Sequence, residues 1–208
     1  MKRFLTFLSI LFFTSALLFC DVPETFEKGM DLASNWKLAE SISVFEKFIK
    51  ENPDSKFKPM AMNWIAYCYD QKRDFLKSID YNKKIISEYP QSVYACSAKM
   101  SIARIYYTRL DEPDKAFPYV DDVIKNNPLS LYAEEAYLWE GLIYQRNEEW
   151  EKSAEIYEVV LKKFPNAVSN DRARALLAGN YVRLKNYKKA IEQYEIVSKS
   201  KNNKLAEE

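Results

Sequence analysis

The amino-acid sequence predicts an all-α protein, an array of about five helical hairpins, and three periodic features carry that prediction. A small residue recurs at steps of 37, 37, 38 and 37 positions, at Gly29, Ala66, Ala103, Gly141 and Ala178. A second small residue follows each of these by 12 or 13 positions, at Ser41, Ser78, Ala116, Ser153 and Ala190. A proline closes the first four periods, at Pro53, Pro90, Pro128 and Pro165. Self-similarity at a period of this length is typical of stacked helical repeats.

The first set of small residues, here called the anchors, is predicted to mark a close contact between the two helices of each hairpin. Small side chains in the middle of a helix let a second helix approach closely. A glycine inside a helix costs about 1 kcal/mol relative to alanine. The chain has only three glycines, and Gly29 and Gly141 stand at anchors. We therefore predict that these two glycines are packing residues.

The second helix of each hairpin is predicted from apolar residues at offsets of three and four, such as Tyr157, Val160 and Leu161. Proline is expected to end each of these helices. Three junctions then share the pattern proline, any residue, serine, any residue, aromatic, as in Pro90 to Tyr94. We expect the serine to cap the next helix and the aromatic side chain to pack over the junction.

These features resemble the tetratricopeptide repeat over residues 22 to 204. The segments "Tyr137-x2-Glu140-Gly141-x2-Tyr144" and "Ser153-x3-Tyr157" fit the two halves of its motif. The five units are about 22–55, 59–92, 95–130, 134–167 and 171–204. The resemblance implies a superhelix whose concave groove carries residues three before, one after and four after each anchor. Those groove residues are Asn63, Tyr67, Asp70, Met100, Arg104, Tyr107, Leu138, Leu142 and Gln145.

The first twenty residues predict an export signal, which leaves residues 21 to 208 as the array. A basic start, Lys2 and Arg3, precedes an apolar run of sixteen residues, shorter than the roughly 20 that span a bilayer. The run ends in "Leu17-Leu18-Phe19-Cys20", which resembles a bacterial lipobox and implies a lipid on Cys20. Phe19 departs from the small residue of that pattern. Ordinary cleavage after Ala16 and an uncleaved anchor are the alternatives.

An exported array with these junctions resembles two bacterial envelope families. One is the outer-membrane β-barrel-assembly lipoprotein, the BamD-like family, and the other is the periplasmic tetratricopeptide protein associated with the Tol–Pal system. Both resemblances imply a non-catalytic scaffold that faces the periplasm and binds other envelope proteins or peptide segments in its groove. The first implies a lipid-anchored outer-membrane protein and the second a soluble one. A homo-oligomer formed through the C-terminal face is a third alternative, because no capping helix is predicted after the fifth unit.

Composition argues against several other classes of function. The absence of histidine removes Ser-His-Asp and Cys-His catalysis and histidine-ligated zinc. Charges of both signs are interspersed and sum to +1, so no nucleic-acid partner is expected. We predict no catalytic, metal or cofactor site. Cys68 and Cys96 are expected to be partly buried free thiols rather than a disulfide framework.

Overall fold

The computed structural model describes residues 22 to 207, so the export segment and Cys20 lie outside the described residues. Within that range ten helices follow one another and pair into five hairpins. Their bounds are α1 Glu24–Ser34, α2 Leu38–Glu51, α3 Lys58–Gln71, α4 Phe75–Glu88, α5 Val93–Thr108, α6 Pro113–Asn126, α7 Ala133–Arg146, α8 Trp150–Lys163, α9 Asn170–Arg183 and α10 Tyr187–Glu207. No strand occurs among residues 22 to 207. The predicted all-α array of five hairpins is confirmed.

The turn inside each hairpin is built in the same way in all five units. One residue per turn has a left-handed backbone with φ between 56° and 63°, at Trp36, Arg73, Asp111, Glu148 and Lys185. The next residue donates its backbone N–H to a carbonyl in the last turn of the first helix, as Glu149 does to Tyr144 at 2.9 Å. Such bonds satisfy carbonyls that a helix end leaves free and reverse the chain. The extra residue of the third unit falls in this turn.

The repeated prolines end the second helices, as predicted. α2, α4, α6 and α8 each end two residues before a proline. Proline disfavours helical backbone in the residue that precedes it, so the helix stops there. The fifth unit has Asn202 at the corresponding position, and α10 continues to Glu207 over 21 residues. The missing proline therefore explains why the last helix is the longest.

The junction serines behave differently from one another, and the capping prediction is confirmed only at Ser92. Its hydroxyl accepts the N–H of Ala95 at 3.2 Å at the start of α5. The prediction is wrong at Ser55 and Ser130, because α3 and α7 begin two positions later relative to their prolines. Ser55 instead accepts the N–H of Phe57 at 3.2 Å. A serine that precedes the helix by three residues is too far back to cap it.

A hydrophobic core runs along the array between successive helices. At its N-terminal end Phe26 is fully buried among Phe45, Phe48 and Phe57, with ring centroids 5.0 to 5.8 Å away. The first helices of neighbouring hairpins also touch, α1 with α3 and α3 with α5. These contacts bring the first helices together on one side of the array.

Two further findings concern cysteines and membrane spans. Cys68 and Cys96 are free, as predicted, and they are buried more completely than the partial burial that was expected. Among residues 22 to 207, no helix is both long enough and apolar enough to cross a bilayer.

Candidate functional site

The two glycine anchors lie directly under an aromatic ring of the second helix of their hairpin. A Cβ atom added to Gly29 would lie 2.6 Å from Cζ of Phe45. A Cβ atom added to Gly141 would lie 2.5 Å from Cε1 of Tyr157. Both rings are fully buried. The prediction that these glycines are packing residues is consistent with this geometry, because only glycine leaves room for the ring.

At the two glycine anchors, the small residue of the second helix meets the anchor through a hydrogen bond. Ser41 donates its hydroxyl to the carbonyl of Gly29, and Ser153 donates to the carbonyl of Gly141, each at 2.8 Å. Both hydroxyls are buried. On folding, each of these hydroxyls exchanges its hydrogen bonds to water for one to the backbone of the facing helix. This bond holds the two helices together.

Glycine and alanine anchors differ in the residue that faces them, which sequence reasoning missed. Each glycine anchor is followed sixteen positions later by a large aromatic residue, Phe45 after Gly29 and Tyr157 after Gly141. At the corresponding positions Ala66 is followed by Asn82 and Ala103, in the unit with one extra residue, by Val120, and both of these later residues are buried. The smaller facing side chains leave room for a methyl group. In the first four units the signal was present in the sequence as a correlation between the anchor and the size of this later residue. In the fifth unit Ala178 precedes Tyr194, whose ring is 47% exposed.

The residues four positions after the anchors connect one hairpin to the next. The buried carboxylate of Asp70 accepts from the guanidinium of Arg104 at 3.0 Å, which joins the second and third units. The hydroxyl of Tyr107 donates to the carbonyl of Leu142 at 3.3 Å, which joins the third and fourth. The amide of Gln145 bonds Asn180 of the fifth unit. The spacing predicted that Asp70, Tyr107 and Gln145 line the groove; in the structure each of them contacts the neighbouring repeat.

Around Gln145 these contacts extend into a buried polar network. Tyr157 donates its hydroxyl to Oε1 of Gln145 at 3.3 Å. Asn180, which is fully buried, donates to the hydroxyl of Ser153 at 2.8 Å. Burial raises the pKa of Tyr157, so its phenol remains a donor. Cys68 holds the position of Asn180 in the second unit, and its thiol lies 3.6 Å from the hydroxyl of Ser41.

The residues three positions before the anchors are mostly covered. Met100 and Leu138 are 4% and 8% exposed, and both belong to apolar clusters between helices. Asn63 is half-buried. A partner could therefore reach this row at Asn63, whereas the other two side chains are covered by the array itself.

The residues one position after the anchors form the accessible row, here called the inner row. It has one member per hairpin, and each is at least partly exposed: Met30, Tyr67, Arg104, Leu142 and Gly179. Tyr67 is the most exposed aromatic residue of the predicted groove, at 38%. Its ring meets the edge of Trp64 at 5.7 Å, and Trp64 stacks on Phe45. Tyr67 is thus a supported aromatic side chain that faces solvent.

A buried carboxylate lies beside the fourth anchor and was not singled out from the sequence. Glu140 is 9% exposed and occupies the position that Ile65, Ile102 and Leu177 hold in other units. Burial raises the pKa of Glu140 to about 7, and the nearby Asp121 adds to the rise. The signal was a charged residue at an apolar position of the repeat.

Comparisons with known proteins agree with this architecture. The tetratricopeptide repeat family model matches residues 135–167, which covers most of the fourth unit. The fold is a tetratricopeptide-repeat superhelix. No curated protein matches the chain in sequence.

Several solved structures share this superhelix. MamA matches at 19% identity over 88% of this chain and 95% of that chain, with a TM-score of 0.69. A kinesin light chain with nearly identical repeats, from Podosopora anserina, matches at 13% identity over 88% and 95%, with a TM-score of 0.69. A tetratricopeptide repeat protein from Parabacteroides merdae matches at 15% identity over 86% and 66%, with a TM-score of 0.70. At these identities the likeness concerns the fold alone.

Proposed function

We propose that this chain is a non-catalytic scaffold that binds a segment of a partner protein along its inner row. The observation that carries the proposal is the regular placement of one accessible residue per hairpin on the side where first helices meet, with a side chain in the first four hairpins and Gly179 in the fifth. An extended peptide or a partner helix can follow such a row from one repeat to the next. Tyr67 and Leu142 supply apolar contacts, and the resemblance to tetratricopeptide repeats supports binding on this side.

The test of the inner row is a photo-reactive amino acid placed at Tyr67 and, as a control, at Leu129. Leu129 is fully exposed and lies in a junction away from this row. Ultraviolet irradiation of cells that carry the full chain should give discrete adducts from position 67. None of these adducts should also form from position 129. Absence of adducts at 67, or the same adducts at both positions, would remove the inner row as the binding site.

A matched pair of variants asks whether the row contributes binding energy. Tyr67→Ala with Leu142→Ala should reduce recovery of the adducted partner and leave the melting temperature nearly unchanged, because both side chains are partly exposed. Tyr107 is not used in this pair, because its hydroxyl bonds the next repeat. Trp36→Ala, at a hairpin turn, is the control for loss of an exposed aromatic residue.

We further propose that the scaffold is exported and held by a lipid on Cys20, as a component of outer-membrane protein assembly. The support is the short apolar run that ends in a lipobox-like sequence and the resemblance of the junctions to the BamD-like family. A lipid chain contributes about 0.8 kcal/mol for each buried CH₂ group, so several chains on one cysteine anchor a protein firmly. The second candidate is a soluble periplasmic adaptor of the Tol–Pal type.

The two candidates differ in the mass of the mature protein. Intact-mass measurement should show a chain that begins at Cys20 and carries acyl groups, and Cys20→Ala should move the protein from the membrane fraction. A mature mass that fits an unmodified chain cut after Ala16 would reject the lipoprotein and favour the soluble adaptor.

A further inference from the structure

The last helix presents an apolar stripe to solvent. Tyr187, Ile191, Tyr194 and Ser198, here called the terminal stripe, follow one another at spacings of four, three and four residues. Tyr187, Ile191 and Tyr194 are 59%, 57% and 47% exposed. Spacings that alternate between four and three place these residues on one helix face, in the pattern of a helix that packs lengthwise against another.

The same positions are covered in the preceding hairpin. Tyr157 is the counterpart of Tyr194 and is fully buried, and Ala154, the counterpart of Ile191, is 5% exposed. Both belong to the apolar cluster that α9 completes. Trp150, the counterpart of Tyr187, lies 5.4 Å under the guanidinium carbon of Arg183. The terminal stripe thus has the composition of a surface that another helix covers, and no described residue covers it.

The fifth anchor helps to keep Tyr194 in solvent. Tyr157 occupies the space where a Cβ of Gly141 would be. Ala178 carries such a Cβ, so Tyr194 cannot lie over its anchor in the same way. An aromatic residue that cannot be buried within its own hairpin is available to a helix from outside.

The first helix, at the opposite end of the array, presents charged residues to solvent, which limits how copies can meet; the exposed Trp36 of this hairpin lies in the turn between α1 and α2. No large apolar side chain of α1 or α2 is exposed, and the exposed residues of α1 include Glu24, Glu27, Lys28 and Asp31. Head-to-tail stacking would place this charged surface on the terminal stripe. A two-fold contact instead places the stripe on itself, and such self-complementary contacts are the commonest in homo-oligomers.

We propose that two copies of the chain associate about a two-fold axis through antiparallel α10 helices. In this register Ile191 packs against Tyr194 of the second copy, and Tyr187 against Ser198. Lys188 and Glu195 flank the stripe on one side, seven residues apart. Antiparallel pairing brings Lys188 of each copy near Glu195 of the other, so the interface contains two ion pairs. The stripe is therefore complementary to itself in shape, polarity and charge.

The first experiment measures the mass of the full chain by sedimentation in a density-matched detergent. One helix pair is a small interface, below about 1,200 Å², so the protein is studied between roughly 1 and 100 µM. We expect the mass to rise with concentration to that of two chains. Ile191→Lys should weaken association by about tenfold or more, because it buries a charge. Ile196→Lys, on another face of α10, should not. A monomer throughout, or equal effects of both variants, would overturn the proposal.

The second experiment tests the antiparallel register through its charges. Lys188→Glu places two pairs of like charges across the interface, and Glu195→Lys does the same with the opposite sign. Each variant alone should dimerise more weakly than the wild type. An equimolar mixture should form a heterodimer, because the two substituted side chains then face each other with opposite charges, and so do the two unchanged ones, Lys188 and Glu195. A mixture that associates no better than either variant alone would overturn the antiparallel contact.

This contact is independent of the inner row, and the two proposals can fail separately. Ile191→Lys leaves Tyr67 and Leu142 intact, so adducts from position 67 should persist in this variant. Loss of dimers with retained adducts supports both proposals, whereas a wild-type monomer that still gives adducts overturns only the dimer.

Discussion

Replacing the glycine under Tyr157 separates the cost of crowding from the benefit of a better helix former. Gly141→Ala would place a methyl group 2.5 Å from the ring of Tyr157, which is fully buried. Overpacking of this kind costs about 1–3 kcal/mol. Alanine also gains about 1 kcal/mol over glycine in a helix interior. We therefore expect the free energy of unfolding to fall by about 0–2 kcal/mol.

Gly179→Ala is the matched control, because Gly179 also lies inside a helix and a Cβ there would meet no atom within 4 Å. This variant should gain about 1 kcal/mol of stability. The propensity gain is common to both variants, so the difference between them, about 1–3 kcal/mol, is the cost of the contact with the ring. In thermal unfolding followed by circular dichroism, each kcal/mol shifts the melting temperature by about 2–4 °C.

A double variant tests the same contact from its other side. Gly141→Ala with Tyr157→Val reproduces the pairing of Ala103 with Val120 in the third unit. Tyr157→Val alone leaves a cavity and an unpaired amide oxygen on Gln145, and the added methyl group fills part of that cavity. The two changes together should therefore cost less than their sum. If Gly141→Ala stabilises the protein as much as Gly179→Ala, the glycine is not a packing residue.

Three further outcomes are expected. Glu140→Leu should raise the free energy of unfolding at pH 8 by about 1–3 kcal/mol and remove its fall with rising pH. The pKa of Glu140 is about 7 in the folded protein and 4.5 for an ordinary glutamate, so the contribution of this carboxyl to stability is fully present below pH 4.5 and is lost as the pH rises to about 7. Arg104→Met should cost about 3 kcal/mol, because the buried carboxylate of Asp70 loses its partner, and Asp70→Leu in the same chain should recover most of it in urea unfolding. Lys185→Gly should raise the melting temperature slightly, since glycine adopts positive φ freely, whereas Lys185→Val should lower it.

The fold was predictable because several independent features of the sequence recur with the same period. Anchors, prolines and apolar stripes each indicated a hairpin of about 37 residues, and the helices begin and end accordingly. The positions of the turns were predictable, but their backbone conformation was not. Positive φ occurs here at tryptophan, arginine, aspartate, glutamate and lysine rather than at glycine. Hydrogen bonds of the backbone set that conformation, and side-chain identity gives little sign of it.

The candidate site was predictable only in part, because position on a helix does not determine what a side chain reaches. Asp70, Tyr107 and Gln145 have the spacing of groove residues, yet each is long or polar enough to bond the next repeat. Tyr67 and Leu142 lie one position after an anchor and remain accessible. Whether a residue faces a partner or a neighbouring repeat depends on the distance between repeats. The spacing of residues in the sequence does not predict that distance.

The pairing of each anchor with the side chain that faces it has a consequence for how such a gene can change by recombination. A crossover within a hairpin, between anchor and facing residue, can join Ala66 to Tyr157 or Gly141 to Asn82. In the first product the methyl group would displace the ring from its buried place, as at Ala178, where Tyr194 is 47% exposed, and the second has a void beneath a polar side chain. A crossover in the segment after a proline exchanges whole hairpins and keeps every pair intact. Duplication and loss of repeats should therefore be tolerated in whole units whose boundaries lie at the prolines.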